Sequence, residues 1–235
     1  MTDQQGAGAA TSETDGTQPS AHRSEPAQWR PTPPGMSPKG QRTRAALLRA
    51  ARTVFERDGL IHARVADITR EAGMSHGAFY TYFDSKDDIF RVLITDVMDG
   101  IWHTRVSTDG QTGLSAYARI ERSNRHFIKV YRENAALFGL HEQGAAYDQT
   151  IREHRNLVRR RSVERVRISI ERMQAEGMVR DDVEAGLTAH ALVSMVSNCC
   201  YFWLVMGEGD FDDEEAAQTL TKLWASALHL QEADS

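Results

Sequence analysis

All six prolines of this 235-residue chain lie between Pro19 and Pro38, and everything from Lys39 to Ser235 is free of them. Proline lacks a backbone donor and its ring breaks helix interiors. A Pro-free run of this length therefore permits one helix after another. The hydrophobic spacing points the same way. Leu47, Ala50, Ala51, Val54 and Phe55 repeat at i, i+3, i+4, i+7 and i+8, one face of a helix. Leu220, Leu223, Trp224, Ala227 and Leu228 repeat the pattern near the end. Between them run Phe90, Leu93, Val97 and Ile101, then Tyr117, Ile120, Phe127 and Tyr131. Strict alternation of apolar and polar residues is missing, so the expected fold class is all-α, with about nine helices.

Start and stop signals subdivide the stretch. Ser85 with Asp88, Asp181 with Glu184, and Asp212 with Glu215 approximate capping boxes. Gly59, Gly73, Gly110, Gly177 and Gly207 stand where a left-handed residue closes a helix. One long helix is expected over Asp148 to Glu176, with Ile151, Val158, Val166, Ile170 and Met173 inward. Val183 to Met206 and Glu214 to Leu230 read as the last two. Residues 1–38, rich in Gly, Ser, Thr, Gln and Pro, bury too little apolar surface to offset ordering entropy and read as a disordered tail.

Composition narrows the class of protein. The chain is 40% hydrophobic and 26% charged, ordinary for a soluble domain. Its longest apolar run, Cys199 to Met206, falls far short of the ~18 residues of a membrane span. The first residues lack a signal peptide's apolar core and include Asp3; a cytoplasmic protein without membrane association is expected. Cys199 and Cys200 are neighbours, a poor arrangement for a disulfide. They read as buried reduced thiols, with no Lys or Arg nearby to suggest a redox sensor. Catalytic and metal motifs are missing: there is no HExxH, no CxxC, no Gly-rich phosphate loop and no G-x-S-x-G. We expect neither an enzyme nor a cofactor or metal.

The informative segment is Val65 to Lys86, VADITREAGMSHGAFYTYFDSK. Val65 to Ala72 reads as a short helix, Gly73 as a turn residue of positive φ, Met74 as an apolar plug, and Ser75 as the cap of a second helix from His76. Two helices joined by a short Gly-containing turn form a helix-turn-helix, whose second helix enters the DNA major groove. His76 is polar and lies at the tip. Gly77 and Ala78 are small enough for close approach. Tyr80, Thr81 and Tyr82 carry hydroxyls suited to phosphate oxygens, while Phe79 and Phe83 face inward. Lys86, at the start of the next helix, is a candidate phosphate contact. The preceding helix is basic, with Lys39, Arg42, Arg44, Arg49, Arg52 and Arg57 against Glu56. The net charge of −5 conceals this local footprint.

Residues 42–101 resemble the DNA-binding domain of the tetracycline-repressor (TetR) family. The resemblance rests on the Ala-Ala-Arg-Thr-Val-Phe run at 50–55, Gly59, Asp67-Ile68, Ala72-Gly73-Met74-Ser75, Gly77, Phe79-Tyr80, Tyr82-Phe83 and Ser85-Lys86. It implies three small DNA-binding helices, a linking fourth helix, and a C-terminal helical domain that dimerises and holds a small-molecule pocket. The domains expected are 39–101 for DNA binding, with the motif at about 64–83, and 102–235 for effector binding and dimerisation. Candidate DNA contacts are Arg44, Arg64, Ser75, His76, Gly77, Ala78, Tyr80, Thr81, Tyr82 and Lys86. Arg64 stands where the family usually has Thr or Ser, which removes a capping oxygen worth about 1 kcal/mol. His76 falls at a position that varies in the family and helps set base choice.

The C-terminal reading rests on pattern. Trp102, His126, Phe127, Tyr131, Phe138, His141 and Tyr147 bring aromatic and polar-tipped residues to the middle helices, as a pocket within a bundle needs. Phe202, Trp203, Leu223 and Trp224 are candidate dimer-interface residues, because the family pairs its last two helices across a two-fold axis. Arg159, Arg160, Arg161, Arg165 and Arg167 read as a solvated face paired with Glu153, Glu164 and Glu171, the alternative being a site for an anionic effector. The expected function is a dimeric repressor that binds a palindromic operator in double-stranded DNA and is released by a small molecule. The alternatives are an activator, or a structural or division-control DNA-binding protein without a ligand.

Overall fold

The computed structural model describes residues 35–103 and 114–230. Among them are nine α-helices and no strand. In chain order these are α1 (Pro38–His62), α2 (Val65–Glu71), α3 (His76–Tyr80), α4 (Lys86–His103), α5 (Ala116–Glu133), α6 (Ala135–Tyr147), α7 (Gln149–Ala175), α8 (Ala185–Cys200) and α9 (Asp213–Ala227), with a π-helical turn at Tyr201–Val205 continuing α8. The all-α expectation holds. α1 begins at Pro38, the last residue assigned to the tail. Pro38 fills the first helical position, where its missing N–H costs nothing, and the Ser37 hydroxyl accepts from Gly40 N at 3.2 Å. Residues 1–34 of the expected tail lie outside the described residues, as does Gly110.

Side-chain caps define most of the remaining starts. Ser85 accepts from Asp88 N, Ser115 from Ala118 N, Asp148 from Ile151 N, and Asp212 from Glu214 N and Glu215 N. At α8 the cap is Glu184, which accepts from Gly186 N and Leu187 N, and not Asp181. The π-turn is a second departure, since a plain helix was expected to run on to Met206.

The buried face read from α1 is the observed one: Leu47, Ala50, Ala51, Val54 and Phe55 are all in the core. Phe55 meets Phe90 of α4 edge-on, with ring centroids 5.1 Å apart, and this contact joins the first helix to the fourth. In the C-terminal part α5 packs along α9 and α7 along α8. The α8 segment Ala185–Val205 is, by length and composition, apolar enough to cross a bilayer, with a mean hydropathy of 1.2. Core helices share that property, and here the segment packs against α7, α5 and α9.

The end of α1 is built unusually. Gly59 adopts φ 72°, ψ 166° and breaks the helix before its last turn. Carbonyls past such a break have lost their helical donors. Lys86 supplies replacements: its Nζ donates to Leu60 O at 2.8 Å, Ile61 O at 3.1 Å and Ala63 O at 3.2 Å. This corrects the expectation that Lys86 reaches a phosphate. All three ammonium protons are already committed to backbone that the Gly59 break leaves open. The lysine thereby fixes the start of α4 against the end of α1 and the entry to α2.

Two more contacts attach α1 to the C-terminal helices. Arg52 donates to Asn134 Oδ1 at 2.8 Å and to Glu133 O at 3.0 Å, at the α5–α6 corner, while its Nε pairs with Glu56. Gly144 of α6 lies so close to α1 that a Cβ there would stand 2.8 Å from Leu60 Cδ2.

Replacing Lys86 with Met keeps the stem and removes the ammonium. Two half-buried carbonyls, Leu60 O and Ala63 O, and the exposed Ile61 O lose a charged donor, and we expect a loss of about 1.5–3 kcal/mol in unfolding free energy. Denaturant melts of both proteins measure it; an unchanged midpoint would show that water replaces the ammonium at no cost.

Candidate nucleic-acid interface and interhelical cavity

The helix-turn-helix is assembled from backbone as much as from side chains. Arg64 precedes α2 without a side-chain cap bond, as its identity implied. Gly73 takes φ 64°, and the turn closes with Gly73 N donating to Arg70 O and Met74 N to Thr69 O. Met74 packs against the core beneath it. Ser75 then caps α3, its Oγ accepting from Ala78 N at 3.3 Å. Phe79 and Phe83 are buried, their centroids 5.7 Å apart, and they anchor the short helix from one side.

Its other side faces solvent. Ser75, His76, Gly77, Tyr80 and Thr81 are exposed, as is Arg64 one helix earlier. His76 lies edge-on to Tyr80 with centroids 5.2 Å apart, and Tyr80 is 51% exposed. Thr81 Oγ1 donates back to Gly77 O. Ala78 and Tyr82 are half-buried, Tyr82 against the core. Seven of the ten candidate DNA contacts thus lie on one contiguous stretch, Ser75 to Tyr82 without Phe79, and Arg64 is exposed ahead of α2. Lys86 and Arg44 do not join them as available cations. The Arg44 guanidinium lies 5.4 Å from the Phe83 ring centroid and beside Asp96, whose carboxyl burial pushes up and Arg44 draws back down.

The basic footprint of α1 is thinner than its composition suggests. Arg52 is held by Glu56 and Asn134, and Arg57 by Asp58 and Glu71. Lys39, Arg42 and Arg49 are exposed and form no ion pair among the described residues. On α7, Arg167 pairs with Glu164 and Glu171, as expected of a solvated face, while Arg159 donates to Ser194.

The candidate pocket residues scatter. The Trp102 side chain lies outside the described residues. Tyr147 is 75% exposed at the end of α6. Tyr131 and Phe138 are core residues stacked on one another at 4.3 Å. His126 is half-buried and apart from the cavity. Phe127 alone of the candidates lines an interhelical cavity of about 50 Å³. Its other apolar walls are Met98 from α4, Val166 from α7, and Val193 and Val196 from α8. Its polar walls are Ser123 and Asn124 from α5, Ser162 from α7, Ser197 from α8 and the Trp224 indole from α9. Sequence reading missed nearly all of this wall, because five helices contribute one to three residues each. A larger depression at Arg132 and Asp210 to Asp213 is an open surface groove, its arginine paired with Asp213.

Of the candidate interface residues, Phe202 and Leu223 are exposed, at 43% and 50%. Trp203 is half-buried against Phe211. Trp224 is buried within its own protomer, which corrects its assignment to the interface. Cys199 and Cys200 are free thiols; burial pushes both upward, Cys200 to about 12.

His141 does something other than line a pocket. Thr95 Oγ1 gives its one proton to Arg91 O at 2.9 Å, so His154 Nε2–H donates to that oxygen at 2.9 Å. His154 Nδ1 must then accept, and His141 Nε2–H supplies the donor at 3.2 Å. This chain of bonds joins α4, α7 and α6. Burial, then each ring's cationic or imidazole neighbours (His154 and Arg155 for one, Arg91 and Arg161 for the other), pushes both imidazoles well below the usual 6.5.

Residues 47–93 match the family model described as bacterial regulatory proteins, tetR family. Over 71 residues, 30% of this chain, the sequence is 42% identical to the HTH-type transcriptional regulator YdgC of Bacillus subtilis, covering 34% of that protein. The chain spans about a third of the length of the curated relatives it matches. Among solved structures, a TetR-family protein from Syntrophomonas wolfei superposes with a TM-score of 0.70 at 20% identity, covering 83% of this chain and 99% of the other. The regulator FadR from Bacillus subtilis, solved with stearoyl-CoA, gives 0.67 at 18% identity over 79% and 99%.

Neutral imidazoles that the fold refuses to protonate cost stability in acid. Their folded-state values lie below the unfolded one, so the unfolded chain takes up protons that the folded chain does not. Stability is full above about pH 6.5 and declines as the pH falls below it. Denaturant midpoints at about pH 7.5 and about pH 5 measure the loss, and a His141→Gln, His154→Gln double variant should show a flatter dependence. An equally steep decline in that variant would place the acid sensitivity elsewhere.

Proposed function

Because residues 47–93 match the model of the tetR family of bacterial regulatory proteins, we propose that the chain is a dimeric transcriptional repressor of that family, and not an enzyme, which binds palindromic operator DNA and releases it on binding a small molecule. The observation that carries the reading is the exposed row Ser75, His76, Gly77, Tyr80 and Thr81 on a helix anchored from behind by Phe79 and Phe83. A recognition element needs this division of labour, with base-facing groups on one side and rigid packing on the other. In this reading His76 reads a base edge. The Tyr80 and Thr81 hydroxyls and the Ser75 O–H hold phosphates, and Arg64, Arg42 and Arg49 add charge at the rim.

One module of this size reads only a few base pairs. Two modules a helical turn apart, about 34 Å, read a palindrome. The exposed Phe202 and Leu223 are the apolar surface on which we place the second copy. Solved relatives of the same fold include a complex with stearoyl-CoA and SmeT, the repressor of a multidrug efflux pump in Stenotrophomonas maltophilia; these support ligand-controlled repression here. Control runs through α4, which contributes Met98 to the cavity and is fixed at its start to the end of α1 by Lys86. By linkage, ligand and DNA then weaken each other by the same factor.

Selection of bound sequences from a random DNA pool is expected to return a palindrome, bound with a steep negative dependence on salt. Tyr80→Phe should weaken all sequences alike, by about 1 kcal/mol, whereas replacing His76 should change which sequence wins. Failure to enrich any sequence at low salt would refute the operator reading.

A further inference from the structure

The cavity between α4, α5, α7, α8 and α9 has a definite chemical character. None of its walls carries an ionisable side chain. A carboxylate, phosphate or ammonium entering it would lose its hydration with no opposite charge to replace it, which a buried charge does not tolerate. Its hydroxyl and amide groups are partly spent already. The Ser162 hydroxyl donates to Val158 O at 3.1 Å, and Asn124 Nδ2 donates to Thr221 Oγ1 at 3.1 Å, which passes its own proton to Ala217 O at 2.7 Å.

One wall group is left without a protein partner. Trp224 is 94% buried (6% exposed), and its indole Nε1–H meets no acceptor. An indole nitrogen can only donate, and a buried donor left unmade carries its full desolvation cost. The indole wants an acceptor from the cavity's occupant, while the surroundings, Phe127, Met98, Val166, Val193 and Val196, want apolar bulk.

We propose that the effector is an uncharged, mainly apolar molecule bearing a hydrogen-bond acceptor, a ketone, ester or lactone carbonyl, which takes the Trp224 indole N–H. This rests on the reading of the chain as a ligand-controlled regulator and specifies the ligand class. It departs from the stearoyl-CoA bound by one relative of the same fold, whose phosphates would need cations that this wall does not provide. It also sets aside the arginines of α7 as an anion site: Arg167 is held by two glutamates, and none of the five lines the cavity. The volume of about 50 Å³ is far below the roughly 300–1,000 Å³ of typical ligand sites. An occupant larger than a few waters must therefore move a wall, and one wall is Met98 of α4.

Titration of the full chain, followed through its indole N–H resonances, tests the proposal. The probes are two matched sets: acetophenone, benzoate and isopropylbenzene, and 2-heptanone, hexanoate and heptane. The Trp224 signal is the one missing from the spectrum of Trp224→Phe. A ketone of at least one set should shift that proton downfield and saturate, its hydrocarbon should bind about three- to tenfold more weakly, and its carboxylate should not compete at equal concentration. A carboxylate that binds as tightly as its ketone, a saturating ketone that leaves the Trp224 resonance in place, or no ketone binding in either set would overturn the assignment. Where Trp224→Phe does not fold, the ketone-against-carboxylate comparison on the natural chain decides alone. Operator affinity in the same samples separates the two levels. A ketone that fills the cavity without weakening DNA binding leaves the cavity chemistry standing and removes the effector role. A carboxylate that binds and releases DNA does the reverse.

Discussion

A single ammonium group sets the geometry on which the rest of the molecule depends. Gly59 breaks the first helix one turn early and exposes three carbonyls, and Lys86 gathers all three at 2.8–3.2 Å. Because Lys86 is also the first residue of α4, the same bonds fix where α4 begins relative to α1 and the helix-turn-helix. Phe55 against Phe90 then sets the crossing of α1 and α4. The exposed row on α3 owes its position to this frame, since α3 is five residues long and cannot hold an orientation by itself.

The same helices belong to the C-terminal core. α4 supplies Met98 to the cavity and Thr95 to the buried histidine chain, while α1 is clamped to the α5–α6 corner by Arg52 and pressed against Gly144. Two independent mechanical routes thus leave the C-terminal helices for the N-terminal ones, one through α4 and one through α6. They differ in kind. The α4 route passes the cavity wall and can respond to what fills it. The α6 route is a charged, bidentate clamp on backbone and amide, suited to holding a fixed distance.

What was legible in the sequence was local. Helix periodicity, the caps at Ser85 and Asp212, the turn at Gly73 and the inward pair Phe79 and Phe83 all depend on residues within a turn or two of each other, where spacing alone carries the information. The misreadings were long-range. Lys86 finds its carbonyls 23 to 26 residues away, and nothing in its own helix announces that. Trp224 was placed at the interface because the resembled family pairs its last two helices, but that pairing does not say which residues of the final helix face the partner and which face their own core. Tyr147 was counted with the pocket for its ring, although it ends a helix and points to water. The cavity's polar wall came from serines and an asparagine that no pattern distinguishes from a solvent face.

The π-turn at Tyr201–Val205 sits opposite Gly139, where a Cβ would stand 2.8 Å from Val205 Cγ1. A π-turn amounts to one extra residue accommodated within a helix, and each residue advances the helical phase by about 100°. Deleting one residue there would rewind the segment into ordinary helix and carry Val205 around the axis, away from α6. The glycine and the inserted residue are therefore two halves of one fitting. A sequence that loses the insertion no longer meets Val205 at this point, and one that gains a side chain at position 139 must move Val205 to make room.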